Sequence, residues 1–400
     1  MTDPSMRATG RNAILFLPPA VLGWQTLMQT HTQLGVEKGF FDRPREGSRV
    51  KQEIITKYFN AYMNKMARSR IVGYADLFAG PGLYRNGEKS TPVLTCERVV
   101  ADERLRNCVR LWFNEADPEV FEDLKNNIAS VTGISSLRFE PSVTHIVISK
   151  SIAPKLERKG IPTLIFADPC GYKGLSLRLI TASLRRFGND CVFFFNYRRV
   201  NMKLGYPVMD GSINEFFEPD RADPLRAEVK RLSPPDREKR VLAAIEEALR
   251  EAGAFPLVFP FRGEGGGTSH HLVFASKNQA ALAMMKRIMA KASSDEVEGV
   301  ASFDFDPRDK GSEPSNLSFF DGLYEVKERL LQSFNGSLTF GEIIDAEEPL
   351  TQYTDTNYRD ALLELESDGS VEMDPAAEQR RLQPGGVKRT LPRGTRIKFL

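Results

Sequence analysis

Apolar residues first recur at helical spacing in the stretch SRVKQEIITKYFNAYMNKMARS (48–69), where Ile54, Ile55, Tyr58, Phe59, Tyr62 and Met63 fall on one stripe. From residue 71 the period alternates between strand and helix. IVGYADLF, NCVRLWFNE, SLRFEP, PTLIFADP and DCVFFFNY read as strands. Helices are expected near 91–102, at DPEVFEDLKNNIAS, at ISKSIAPKLERK and at GLSLRLITASLRRFG. The runs TLIFA and CVFFF are apolar throughout, as central strands covered on both faces must be. Strands alternating with helices predict a mostly parallel α/β sheet layered between helices.

Residues 197–236 are polar and read as an insertion. A helix, PPDREKRVLAAIEEALREAGA, follows. FPLVFPFR and SHHLVFAS then flank GEGGGT, a hairpin with a glycine-rich connection, and NQAALAMMKRIMAKAS is a helix. An antiparallel pair after the last crossover departs from a plain dinucleotide-binding sheet, which continues with parallel strands. Residues 294–322, rich in Ser, Asp, Gly and Pro, read as a linker. The remaining stretch, 323–400, gives helix, helix, helix and hairpin, the order of a small α+β winged-helix-like domain. Residues 1–45 form an irregular extension.

Composition narrows the setting. A net charge of +2 over 400 residues creates no global field toward nucleic acid or membrane, so any such attraction must be local. Cys96, Cys108, Cys170 and Cys191 lack metal-ligand spacing, no metal is expected, and reduced thiols in a cytoplasmic protein are. The apolar start is broken by Pro18-Pro19 and is too short to span a bilayer.

Candidate chemistry sits at strand ends. Asp76 closes the first strand, and Phe78-Ala79-Gly80-Pro81-Gly82 turns sharply toward a helix. Gly80 and Gly82 let backbone approach a ligand closely. A helix N-terminus normally attracts a pyrophosphate, but Asp76 opposes one. It suits an ammonium, such as the methionine end of S-adenosylmethionine. Without a ligand this is only a tight turn. Glu115, at the end of the next strand, has the position of a carboxylate that accepts ribose hydroxyls, against the plainer reading of an exposed charge. Asp117-Pro118 starts the following helix. Asp168 is placed to orient an acceptor amine or take its proton, and Tyr172 to stack on a flat acceptor. Cys170 reads as a nucleophile or, more simply, a small hydrophobe. Asn196 ends the fifth strand on the same side, where it supports the site. The pair His270-His271 points to opposite strand faces and reads as structural. In the last domain, residues 341–374 carry eleven acids against one arginine, and 376–400 carry seven basic residues against Glu378. A basic wing of that kind touches either a DNA or RNA backbone or a protein partner.

Together these motifs resemble the three-Cys-motif partner protein (TcmP) family. The resemblance rests on a helix with Lys51, Ile54 and Tyr58, then Tyr74-x-Asp76-Leu-Phe-Ala-Gly-Pro-Gly-x-Tyr84, Thr91-Pro92 and an Asn-Glu-x-Asp strand end. Asp168-Pro169-x-Gly171-Tyr172, a phenylalanine-rich strand ending in Asn196, the Phe-Pro-Phe hairpin and the last domain complete it. It covers most of residues 50–400. It implies a Rossmann-like methyltransferase core over 46–293, S-adenosylmethionine as cofactor and a three-Cys-motif protein as partner. Two departures stand out. Cys170 replaces a phenylalanine, and Glu140-Pro141-Ser142-Val143-Thr144 lacks an acidic residue after the third strand. The expected activity is S-adenosylmethionine-dependent methyl transfer, with a nucleic-acid base as the expected acceptor. The alternative is a weak or inactive scaffold that binds a partner or DNA through the last domain. A dinucleotide oxidoreductase is disfavoured by Asp76.

Overall fold

The computed structural model describes residues 46–68, 70–149, 152–153, 160–169, 174–186, 188–198, 210–308, 322–383 and 389–400. The N-terminal extension, most of the helix expected at 148–159, Cys170, Tyr172 and residues 199–209 of the insertion lie outside them.

The chain opens with α1 (Glu46–Met66), whose buried stripe is Ile54, Ile55, Tyr58, Phe59, Tyr62 and Met63. The core then runs β1 (Val72–Asp76), α2 (Thr91–Val100), α3 (Glu103–Cys108), β2 (Val109–Asn114), α4 (Pro118–Ala129), β3 (Ser142–Thr144), β4 (Thr163–Ala167), α5 (Leu177–Leu184) and β5 (Asp190–Phe195). Next come α6 (Asp210–Phe217), α7 (Pro219–Val229), α8 (Pro234–Glu251), β6 (Phe255–Arg262), β7 (Thr268–Ser276) and α9 (Gln279–Ala292). The seven strands form one sheet in the order β3-β2-β1-β4-β5-β7-β6. Strands β1 to β5 pair in parallel, and β7 runs antiparallel to both β5 and β6. Every residue of β1, β4 and β5 is buried, which explains their unbroken apolar runs. One face packs on α1 to α4 and α9, the other on α5 to α8. No helix among the described residues is long and apolar enough to cross a membrane.

The structure corrects three expectations within this core. The third strand is Ser142–Thr144, not SLRFEP. Phe139 stays out of the sheet because the guanidinium groups of Arg110 and Arg138 lie 4.5 and 5.0 Å from its ring. The stretch 197–236 is not merely a polar excursion. Phe216, Phe217, Ala222, Leu225 and Val229 are buried in the core under α8. The turn after Asp76 does not enter a helix directly, since a short loop bridged at Leu83 and Lys89 intervenes before α2.

Beyond α9, β8 (Glu296–Val297) and β9 (Val300–Ala301) make a small hairpin. Phe303 and Phe305, in the stretch read as linker, insert into the main core, and Phe305 exchanges backbone hydrogen bonds with Pro260 and Arg262 on the edge strand. The C-terminal unit comprises α10 (Gly322–Ser333), β10 (Gly336–Thr339), α11 (Phe340–Glu347), α12 (Asp355–Ser367), β11 (Val371–Asp374) and β12 (Arg396–Phe399). Its sheet order is β10-β12-β11, all antiparallel. A strand thus separates its first two helices, where three consecutive helices were expected. Capping boxes at Thr339/Glu342 and Thr354/Asn357 start the second and third helices. The fully buried Lys286 of α9 donates to the carbonyls of Glu348 and Tyr353, joining this unit to the core.

Candidate active site

The C-terminal ends of β1, β2, β4 and β5 meet at one edge of the sheet. Ligands bind there in such folds because strand-end loops supply groups that helices hold rigid. Asp76 ends β1 and is 1% exposed, yet it lines a cleft at this edge. Its Oδ1 accepts the Phe78 amide at 3.2 Å. Burial pushes its pKa well above the usual carboxylate range; the Phe78 hydrogen bond opposes this, and the nearby Asp168 and Glu115 add to it. A positive group arriving in the cleft would reverse that penalty.

Phe78, Ala79, Gly80 and Pro81 line the same cleft, and Asp168 faces it from the end of β4. Gly80 and Gly82 both have left-handed backbones, φ 67° and 83°. Their tasks differ. Gly80 faces the cleft, whereas Gly82 turns inward, and a Cβ there would sit 3.2 Å from Val93 and 3.4 Å from Asn127. Glu115 stands beside the turn and splints it. One carboxylate oxygen accepts the Gly80 amide at 2.9 Å, and the other accepts Ala116 and Asp117 at 2.7 and 2.9 Å. A carboxylate has about four acceptor positions, so an oxygen on the Gly80 side retains capacity for a hydroxyl. Asp117 caps α4.

Asn114 holds this edge in register. Its amide nitrogen donates to the carbonyls of Leu77 and Ile146, and its oxygen accepts Thr144 Oγ1 and the Ile146 amide. The stretch taken to follow the third strand is therefore that strand itself. Beyond it His145 contacts the Ala116 carbonyl at 2.9 Å and stacks on Phe121. Asn196 is half-buried after β5 and does not line the cleft.

Sequence reasoning assigned no chemical role to Lys51. Its ammonium lies 2.9 Å from Asp168 Oδ2 and 4.0 Å from the centre of the Phe194 ring. The available signal was a charge on the apolar stripe of α1, one turn before Ile54 and Ile55. Ser90, Thr91 and Pro92, at the start of α2, also line the cleft. The His270 ring stacks on Phe261 at 4.8 Å and points away from the face that carries His271, as the strand period requires. Burial pulls the His270 pKa well below the usual histidine value, with Lys51 and His271 adding to the effect. His271 instead sits beside Glu238, 3.1 Å away. Among the described residues no group of His, Cys, Asp or Glu is arranged to hold a metal.

A seven-stranded sheet in this order, reversed only at β7, with acidic ends on β1 and β2, is a Rossmann-like methyltransferase fold. Solved structures of several proteins are similar to the chain. A protein of Legionella pneumophila shares 12% identity, with 57% of this chain and 84% of that chain covered and a TM-score of 0.32. The methyltransferase domain of bacterial CtHen1-C shares 11%, covering 57% and 100%, TM-score 0.31. The magnesium protoporphyrin IX methyltransferase ChlM of Synechocystis PCC 6803, with bound SAM, shares 8%, covering 60% and 89%, TM-score 0.30. Superpositions this loose specify neither ligand nor acceptor. No protein-family model matches the chain, and no curated protein matches it.

Proposed function

We propose that this chain is an S-adenosylmethionine-dependent methyltransferase. The observation that carries the reading is the buried Asp76 carboxylate at the floor of a strand-end cleft, beside the glycine turn that Glu115 splints. Asp76 fits the methionine ammonium, because a cation there offsets the burial that disfavours its charge. The Gly80 backbone admits the ligand closely, and Glu115 is placed for the ribose hydroxyls. When bound, S-adenosylmethionine supplies an electrophilic methyl group. Asp168, at the end of β4, orients the acceptor or receives its proton, and Tyr172 stacks on it. A nucleic-acid base carrying an amino group suits that pair. Titration calorimetry with S-adenosylmethionine tests the reading directly; a folded protein that takes up none refutes it.

The resemblance supplies the rest. The C-terminal unit is assigned as a winged-helix domain, and the partner as a three-Cys-motif protein. Of its basic residues, Arg380, Arg393 and Lys398 pair with Glu366, Asp345 and Glu372 of the same unit. Arg380 is buried in its pair and is not available to a duplex backbone, whereas the Arg393 and Lys398 pairs are exposed and weak. Co-purification with the three-Cys-motif protein tests the partner, and a DNA titration against the Arg393 and Lys398 surface tests the alternative.

A further inference from the structure

S-adenosylmethionine presents an ammonium and a carboxylate on the same carbon. Asp76 answers the first. Among the described residues lining the cleft, Lys51 alone is cationic. Its side chain is 18% exposed, and its ammonium is held by the Asp168 carboxylate and the Phe194 face. A second feature of the same wall suits an anion. Ser90 is the N-cap of the ten-residue helix α2 but makes no side-chain cap bond, and its buried hydroxyl has no partner. Pro92 has no N–H to give to the first turn. A capping residue ordinarily satisfies that turn, and its free amides attract negative charge.

We propose that Lys51 and Ser90 hold the methionine carboxylate of the cofactor, and that Lys51 leaves Asp168 to do so. Cofactor loading then releases Asp168 toward the acceptor. The Lys51–Asp168 ion pair is the resting state of this exchange, and it keeps a second, half-buried carboxylate paired beside Asp76 until the cofactor arrives. The inference rests on the cofactor assigned above.

Calorimetry with two probes, S-adenosylmethionine and its decarboxylated analogue, tests both statements. Lys51→Met should weaken S-adenosylmethionine binding by about tenfold or more, the usual scale for a lost charge-assisted contact, and leave the analogue within about twofold. Lys51→Arg should recover most of the loss, and Ser90→Ala should lose a smaller factor on S-adenosylmethionine alone. Asp168→Asn should tighten S-adenosylmethionine, because it removes the competitor for Lys51. Equal weakening of both probes by Lys51→Met, or no weakening, overturns the carboxylate contact. Unchanged or weaker binding by Asp168→Asn overturns the exchange. Wild-type protein that binds neither probe refutes the cofactor reading itself, a result distinguishable from both.

Discussion

Glu115 accepts the amide of Gly80 at 2.9 Å across 35 residues of chain, so the carboxylate that ends β2 fixes the turn that ends β1. Its two further backbone acceptances make it a hub rather than an exposed charge. Replacing it with alanine orphans three amides and should cost roughly 1–3 kcal/mol of stability, measured by urea unfolding. The same variant should weaken cofactor binding, because the glycine turn loses its brace. Unchanged unfolding would show that the turn holds its own shape.

Asp76 predicts a proton signature. Its folded pKa is raised, so a fraction of the carboxyl stays protonated above the ordinary carboxylate range. An ammonium bound beside it stabilises the ionised form, and binding must then release protons. Titrations in buffers of different ionisation enthalpy should show net release for the wild type and none for Asp76→Asn. The variant should also bind far more weakly. Identical apparent enthalpies across buffers would rule out the linkage.

Asp190, at the start of β5, accepts Tyr58 Oη from α1 at 2.6 Å. Burial pushes its pKa up to about 6, against the pull of Ser276 and Tyr58. The sign follows from linkage. A raised carboxyl contributes stability that is complete below its unfolded value near ~3.9 and is lost as pH rises through about 6. The difference is worth about 3 kcal/mol. Asp190→Asn should therefore flatten the fall in melting temperature between pH 4 and 7. Tyr58→Phe, by removing a bond that favours the charged form, should move the transition to higher pH.

Lys286 gives the opposite case. Burial draws its pKa down to about 8, against the attraction of Glu348, Glu347 and Asp355. A depressed lysine contributes stability present above its unfolded value near ~10.4 and lost as pH falls through about 8. The wild type should thus gain stability relative to Lys286→Met as pH rises from 8 to 10, read as a difference of urea midpoints. Parallel midpoints would mean that the ammonium remains solvated.

Much of this was legible because local pattern and tertiary role agree. The stripe of α1 and the unbroken runs of β4 and β5 can each be buried in only one way. The acidic strand ends and the Gly80 turn were legible for the same reason. The third strand was not, since three residues at a sheet edge carry no period, and Phe139 found cationic partners outside the sheet. Lys51 escaped because a charge on an apolar stripe gains its meaning from Asp168, 117 residues away. The phenylalanines at 303 and 305 alternate with Ser302, Asp304 and Asp306, a strand-like signal masked by the polar composition around it. The charge polarity of the C-terminal unit was visible, but not the pairing of Lys398 with Glu372, which depends on β12 lying beside β11.

The passage through Phe303 and Phe305 is one of two routes by which force would travel. The chain leaving α9 first packs Val300 into the core of the C-terminal unit and is then stitched to β6 by the Phe305 hydrogen bonds and two buried rings. A pull on that unit would enter the seven-stranded domain at two places, through Lys286 on α9 and through the outermost strand.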